Sequence, residues 1–127
     1  MVRAVLSRKY KTMATEGNFN NHIGVPLMLF RLKHSDEMAV VEMGTSGPNE
    51  IRPLSLATEP NIAVITNIGA SHLERLQDLE GVYREKINIT AGLQEGGLLI
   101  VNADDPHLSR VRSTKRYKVM TFGIRRG

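Results

Sequence analysis

The chain of 127 residues contains no cysteine and no tryptophan, and aromatic residues make up only 5% of it. The absence of cysteine excludes a disulfide framework, a thiolate zinc site and a cysteine nucleophile, and it is compatible with a reducing compartment. None of the few aromatic residues alternates with basic ones, so a stacking surface for single-stranded nucleic acid is poorly supported. We therefore expect no nucleic-acid partner.

Long apolar runs are also absent from the sequence. No run approaches the roughly 20 residues that a membrane span needs, and the apolar stretch of the basic N-terminus is too short for a signal peptide. We therefore expect a cytoplasmic protein without membrane insertion. The hydrophobic share of 41% and the charged share of 24% are ordinary for a globular protein, and the length fits one domain.

Charge is distributed unevenly along the chain, whose formal net charge is +4. Positions 1–12 carry four basic groups and no acid, and positions 105–127 carry seven basic groups and one acid. The middle of the chain carries twelve acidic and only six basic groups. The basic ends suit an anionic partner, whereas the alternative is a solvated surface of helices and strands.

Short apolar segments alternate with helical patterns along the chain. The predicted strands are 10–15, 38–43, 62–67, 98–102 and 117–122, and the predicted helices between and around them are 1–9, 22–33, 48–57, 80–94 and 105–112. In the last helix, Asp105 reads as the N-cap and Pro106 as the first helical residue. The alternation predicts an α/β fold with a mostly parallel sheet flanked by helices. The nearly continuous apolar character of the second, third and fourth strands is typical of strands buried on both faces.

Polar residues follow four of these predicted strands. They are Asn18, Asn20 and Asn21 after the first, Glu42, Thr45 and Ser46 after the second, Asn67 and His72 after the third, and Asn102 and Asp105 after the fourth. Ligands of doubly wound sheets bind beyond the carboxyl ends of the strands. We therefore expect these side chains to line one edge of the sheet.

Two interpretations remain open for most of these residues. A carboxylate such as Glu42 inside an apolar strand needs a partner or a cation, unless it already lies at the solvent edge. His72 near Glu42 would suit Mg²⁺ or Mn²⁺, but by itself it is typical of a helix start. The asparagines form either an Asx turn that caps a helix or a polar ligand site. Lys86 either reaches water or, if desolvated, becomes partly neutral and nucleophilic.

The residues alone do not predict ATP use. No phosphate loop of the form G-x-x-x-x-G-K-[ST] is present, because the segment 44–47 (GTSG) lacks the lysine.

Five segments of the chain, taken in order, resemble the central domain of the Mur ligases. They are 15–26 (TEGNFNNHIGVP), 42–51 (EMGTSGPNEI), 66–74 (TNIGASHLE), 79–86 (LEGVYREK) and 102–106 (NADDP). Each segment is a weak signal alone, but their common order and spacing over most of the chain is specific.

The resemblance implies a three-domain, ATP-dependent amide ligase, with ATP as co-substrate and Mg²⁺ as cofactor. Residues 1–127 would be part of its central, ATP-binding domain, truncated at the N-terminus. The segment 1–9 resembles the helix that follows the family's phosphate loop, so that loop, the N-terminal UDP-substrate domain and the C-terminal domain would lie outside the chain. We expect the chain alone to be inactive and to bind ATP weakly or not at all. Through an exposed sheet edge, we also expect it to self-associate or to have low stability.

Two segments indicate which member of the family the chain resembles: the asparagine loop, which is residues 18–21, and the Glu-Met-Gly-x-Ser segment, which is residues 42–46. Both favour the member that adds D-Ala-D-Ala to UDP-MurNAc-tripeptide. That reaction belongs to peptidoglycan synthesis and passes through an acyl phosphate. The alternatives are a related amide ligase, either another Mur ligase or a folylpolyglutamate synthase, and a non-catalytic nucleotide-fold relic that binds an anionic partner.

The resemblance also assigns roles to the polar residues. Glu42 and His72 match metal ligands, and Lys86 matches a lysine that is carbamylated in the family and then holds a second Mg²⁺. His72 and Lys86 are the catalytic candidates. The substrate-binding candidates are Asn18, Asn20, Asn21, Thr45 and Ser46, and the nucleotide-binding candidates are Asn67, Asn102 and Asp105. The family usually has an acidic residue two positions after the modified lysine, where this chain has Asn88.

Overall fold

The structure is a computed structural model that describes residues 1–125. In chain order, its elements are α1 (Val2–Leu6), β1 (Thr12–Ala14), α2 (Gly24–Leu29), β2 (Met38–Val40), α3 (Ile51–Thr58), β3 (Ile62–Ile65), α4 (Leu73–Leu76), α5 (Leu79–Ile87), a 3₁₀ turn (Asn88–Thr90), β4 (Gly97–Asn102), a second 3₁₀ turn (Leu108–Arg110) and β5 (Tyr117–Phe122). All the strand pairs found in these residues are parallel, which confirms the predicted α/β class. No helix between positions 1 and 125 has the length and apolar character that crossing a bilayer requires.

The chain forms two compact units, and the first comprises Met1–Gly44. Its sheet pairs β1 with β2, so that Thr12 lies opposite Met38 and Ala14 opposite Val40. The adjoining α2 buries Val25 and Met28. Its first residue, Gly24, must be a glycine, because a Cβ there would stand 2.4 Å from the backbone of Phe19.

The second unit begins at Thr45 and contains a three-stranded sheet in the order β3–β4–β5. β4 is the central strand, and its Leu99 and Val101 are fully buried. The core of this unit combines one face of the sheet with apolar side chains from α4, α5 and the loops, namely Ala63, Ile65, Ile68, Leu76, Val82, Leu93, Leu99, Val101 and Leu108. The core therefore lies on one side of the sheet.

The opposite face of the three-stranded sheet is partly exposed, so the expectation of strands buried on both faces is wrong for the third predicted strand. It is also wrong for the second, because Met38 and Ala39 of β2 are exposed. Ile62 and Val64 of β3 are 56% and 42% exposed, and Met120 and Phe122 of β5 are 54% and 41% exposed. Parallel register brings these residues to the same face, because Val64 lies opposite Ile100 of β4 and Ile100 opposite Met120. The helices that build the core of this unit pack on the other face.

The predicted helix 105–112 is also wrong, because the segment forms only a 3₁₀ turn at Leu108–Arg110. Asp105 does act as the predicted cap, and its Oδ1 accepts the N–H groups of His107 and Leu108 at 2.9 and 3.1 Å. The chain turns to extended backbone at Val111, with φ −67° and ψ 137°. That change ends the turn before a longer helix can form.

The exposed apolar face predicts that the isolated 127-residue chain self-associates. Exposed apolar patches promote association, because their burial in a contact removes apolar surface from water. The double substitution V64K/M120K should shift the chain toward the monomer, since it places two charges on this face. Sedimentation velocity measures the change, and L56K, at an exposed leucine of α3, is the control. A wild-type chain that stays monomeric at millimolar concentration contradicts the prediction.

Candidate functional site

The asparagine loop after β1 contains one residue that contacts Glu42. The Asn20 side-chain amide donates to Glu42 Oε1 at 3.0 Å, and the Asn20 carbonyl accepts the Gly44 N–H at 2.7 Å. Asn21 instead caps α2, because its Oδ1 accepts the N–H groups of Ile23 and Gly24. Asn18 is exposed, and its carbonyl accepts the Asn20 N–H. The Asx-turn interpretation therefore describes Asn21, and Asn20 remains the candidate for a role beside Glu42.

Glu42 lies beyond its strand and is exposed, which is the solvent-edge alternative rather than the buried one. β2 ends at Val40, and the Glu42 N–H donates to Thr15 Oγ1 at 2.8 Å. The contact with Asn20 requires glycine at position 44, since a Cβ there would come within 2.8 Å of the Asn20 side chain. The first unit thus presents a carboxylate, oriented by an amide, at the carboxyl end of β2.

The loop of residues 45–50, which opens the second unit, is held by its own side chains. Thr45 Oγ1 donates to the Gly47 carbonyl at 2.6 Å, and the Ser46 N–H donates to Glu50 Oε2 at 2.7 Å. The Ser46 N–H is the main reason that the pKa of Glu50 lies below its ordinary value, against a smaller opposing effect of desolvation. Glu50 therefore remains ionised and keeps the loop folded back on itself.

Glu85 of α5 contacts the same loop and was not predicted from the sequence. It is 3% exposed, and its carboxylate accepts the backbone N–H groups of Asn49, Glu50 and Ile51. The spacing in the sequence could have indicated that Glu85 is buried. Glu85 follows the buried Val82 by three positions and so lies on the apolar face of the helix. A carboxylate on such a face needs strong hydrogen-bond partners.

Lys86, the next residue, reaches the carboxyl end of β3. Its Nζ donates to the Asn67 carbonyl at 2.9 Å. Partial burial lowers the pKa of Lys86, and the nearby charge of Asp105 opposes that shift. The lowered pKa enlarges the neutral fraction of the amine, which is the nucleophilic form.

His72 is exposed at the end of the loop that follows β3, directly before α4. Its backbone is left-handed, with φ 54°, and its carbonyl accepts the Leu76 N–H at 2.9 Å. The imidazole makes no capping hydrogen bond to the N-terminus of α4. His72 is therefore a helix-start residue whose imidazole faces solvent.

Asp105 connects the loops that follow β3 and β4. Its Oδ2 accepts the Ile68 N–H at 2.7 Å, in addition to the two bonds that its Oδ1 makes in its own turn. Desolvation raises the pKa of Asp105, but the three backbone N–H groups and the charge of His107 outweigh it and hold the pKa below its ordinary value. Asn102, at the end of β4, accepts the Asp104 N–H on its Oδ1. Within this unit, the structure therefore brings Asn67, Lys86 and Asp105 together, as expected of one sheet edge.

The candidate metal ligands differ in how well their donor atoms suit Mg²⁺. Residues 1–125 contain no group of three or more His, Cys, Asp or Glu side chains placed to hold a metal. Mg²⁺ usually keeps several waters and takes one or two carboxylates together with substrate phosphates. The exposed carboxylate of Glu42 fits that mode, whereas the exposed imidazole of His72 offers a nitrogen, which Mg²⁺ binds less readily than oxygen.

Comparison with known proteins gives consistent relatives. The UDP-N-acetylmuramoyl-tripeptide–D-alanyl-D-alanine ligase of Bacillus subtilis (strain 168) is 46% identical over 119 residues, which are 92% of this chain and 26% of the relative. The ligase of the same name from Escherichia coli (strain K12) is 42% identical over 105 residues, covering 83% of this chain and 23% of the relative. The chain thus spans about a quarter of the length of these relatives.

Solved structures show the same similarity in three dimensions. MurF from Acinetobacter baumannii superposes with a TM-score of 0.88 at 35% identity, over 94% of this chain and 27% of that protein. The MurF ligase from Thermotoga maritima in complex with ADP gives a TM-score of 0.82 at 30% identity, over 93% of this chain and 27% of that protein. The family described as the Mur ligase middle domain matches residues 1–127 in full. The chain belongs to the Mur ligase middle domain family.

Proposed function

We propose that this chain is the central, ATP-binding domain of a ligase that joins D-Ala-D-Ala to UDP-MurNAc-tripeptide in peptidoglycan synthesis. The observation that carries the proposal is the 46% identity to the Bacillus subtilis ligase over 92% of the chain. The ADP bound to the Thermotoga maritima relative supports ATP as the co-substrate. The N-terminal UDP-substrate domain, the phosphate loop and the C-terminal domain belong to the longer protein that we propose.

In this proposal, the chain's own residues position groups around the reacting carboxylate. ATP phosphorylates that carboxylate and leaves as ADP, and the amine of D-Ala-D-Ala then attacks the acyl phosphate and displaces phosphate. Asn20 orients Glu42, and the bonds of Glu50 present Thr45 and Ser46 for contact with the UDP-linked substrate. Asn67 and Asn102 lie at strand ends where the nucleotide would bind. Asp105 acts through the backbone, because all the bonds described above engage its oxygens with main-chain N–H groups.

By the family resemblance, Glu42 and His72 would each be a ligand of Mg²⁺, and a carbamylated Lys86 would hold a second Mg²⁺. These ions would neutralise the negative charge that develops on the transferred phosphoryl group. Carbamylation adds CO₂ to the neutral amine of Lys86 with loss of a proton and so replaces a cation by an anion. The lowered pKa of the amine favours this reaction, because it enlarges the neutral fraction. The UDP-linked and ATP substrates are cytoplasmic metabolites, so the proposal places the reaction in the cytoplasm.

A substrate panel tests the proposal on the full-length protein. We expect phosphate release from ATP only when UDP-MurNAc-tripeptide and D-Ala-D-Ala are both present, because the acyl phosphate must form and then be attacked by the amine. Release with a folate and glutamate would instead show a folylpolyglutamate synthase. Release with a single amino acid in place of the dipeptide would show another Mur ligase, and no release with any pair would favour the non-catalytic relic.

A further inference from the structure

We propose that Glu85 is a positioning residue that fixes the 45–50 loop against the helix that carries Lys86. How the loop is held follows from the geometry alone, whereas what the loop binds rests on the proposed function. Glu85 is buried, although the preceding Arg84 is exposed and the following Lys86 is half-buried. A buried carboxylate is costly unless hydrogen bonds replace its hydration, so its partners define its role.

Three backbone N–H groups converge on this carboxylate. Glu50 and Ile51 donate to Oε1 at 2.8 and 2.7 Å, and Asn49 donates to Oε2 at 2.7 Å. Ile51 is the first residue of α3, Glu50 is its N-cap and Asn49 precedes the cap, and the N-cap side chain makes no capping bond. Glu85, which lies on another helix, therefore takes the place of the missing cap. It satisfies the first N–H of α3 and the two N–H groups before it.

The hydrogen bonds continue from Glu85 into the loop. Glu50, held by its N–H, uses its own carboxylate to accept the Ser46 N–H at 2.7 Å. Asn49 has φ 64°, a left-handed backbone in which asparagine is enriched among non-glycine residues. The bond from its N–H to Glu85 holds the chain in this turn.

Adjacent residues of α5 thereby connect two loops of the candidate site. Glu85 holds the 45–50 loop, and Lys86 donates to the Asn67 carbonyl of the loop after β3. Small displacements of groups that position a substrate reduce rates strongly, so the two loops need a common rigid support. The final turn of α5 is that support, and Glu85 is its link to Ser46.

Hydrogen exchange of single amides in the full-length protein tests how the loop is held. E85Q keeps Oε1 but puts an NH₂ group opposite the Asn49 N–H, so the exchange of Asn49 should rise by about tenfold while Glu50 and Ile51 change less. E85A should raise the exchange of all three amides. N88A is the matched control, since Asn88 contacts Glu85 only through a longer bond of 3.4 Å. Unchanged exchange at positions 49–51 in E85A overturns the proposal.

Ligase kinetics of the same variants test what the loop does. E85A should raise the KM for UDP-MurNAc-tripeptide by about tenfold, E85Q should recover part of that loss, and N88A should match the wild type. A rise in exchange with unchanged kinetic constants overturns the positioning role. A wild-type protein that shows no ligase activity refutes the proposed function instead, and the exchange measurement then still decides whether Glu85 holds the loop.

Discussion

Alanine at Glu42 or at His72 is expected to remove most of the ligase activity of the full-length protein while leaving its fold intact. Both side chains are exposed beyond the ends of parallel strands, where ligands of such sheets bind. Their exposure also means that truncation creates no cavity in the core. Each is a proposed ligand of the ion that neutralises the transferred phosphoryl group, so kcat should fall by roughly 10²–10³-fold.

Steady-state kinetics at saturating Mg²⁺ and ATP measures this effect, and circular dichroism checks the fold of each variant. H34A and E95A are matched controls, because both residues are exposed and neither belongs to the candidate site. A kcat near the wild-type value in E42A or H72A removes that residue from the proposed metal ligands. N20A should give an intermediate loss, since it removes only the amide that orients Glu42.

The sequence was sufficient to predict the parallel α/β fold because the relevant signals are local. Short apolar runs predicted β2 to β5, and the candidate strand 10–15 contains β1, with strand ends shifted by up to three residues. The end of β2 shows why ends are harder to predict. The apolar run continues through Met43, but pairing with β1 stops at Val40, which leaves Glu42 outside the strand and exposed.

The contacts that organise the candidate site join distant parts of the chain, and no local pattern predicts them. The position of Glu85 on an apolar face indicated that it needs partners, but not that these are the N–H groups of Asn49, Glu50 and Ile51, more than 30 positions away. Likewise, Asp105 is a recognisable turn cap, while its bond to Ile68 depends on the pairing of β3 with β4. Tertiary structure turns both carboxylates into links between loops.

Substitution of Asp105 by alanine is expected to cause a large loss of stability in this domain. The side chain is 7% exposed, and its removal leaves the N–H groups of Ile68, His107 and Leu108 without their acceptor. Each orphaned buried donor costs about 1–3 kcal/mol, so the free energy of unfolding should fall by about 3–5 kcal/mol. D105N should cost less, because Oδ1 can keep its two bonds and only the one to Ile68 is lost. Urea unfolding measures both values.

The pH dependence of stability in the same variants separates the contribution of the Asp105 charge from that of its hydrogen-bond geometry. Because the pKa of Asp105 is lowered in the folded protein, its stabilising contribution is complete above the ordinary aspartate value of about 3.9 and disappears as the pH falls through the lower folded value. The wild type should therefore lose its advantage over D105N below about pH 4. D78A is the control, since Asp78 makes a single capping bond to Gly81 on the surface and should cost only about 1 kcal/mol. Equal losses in D105A and D78A would show that the bonds of Asp105 do not hold the two loops together.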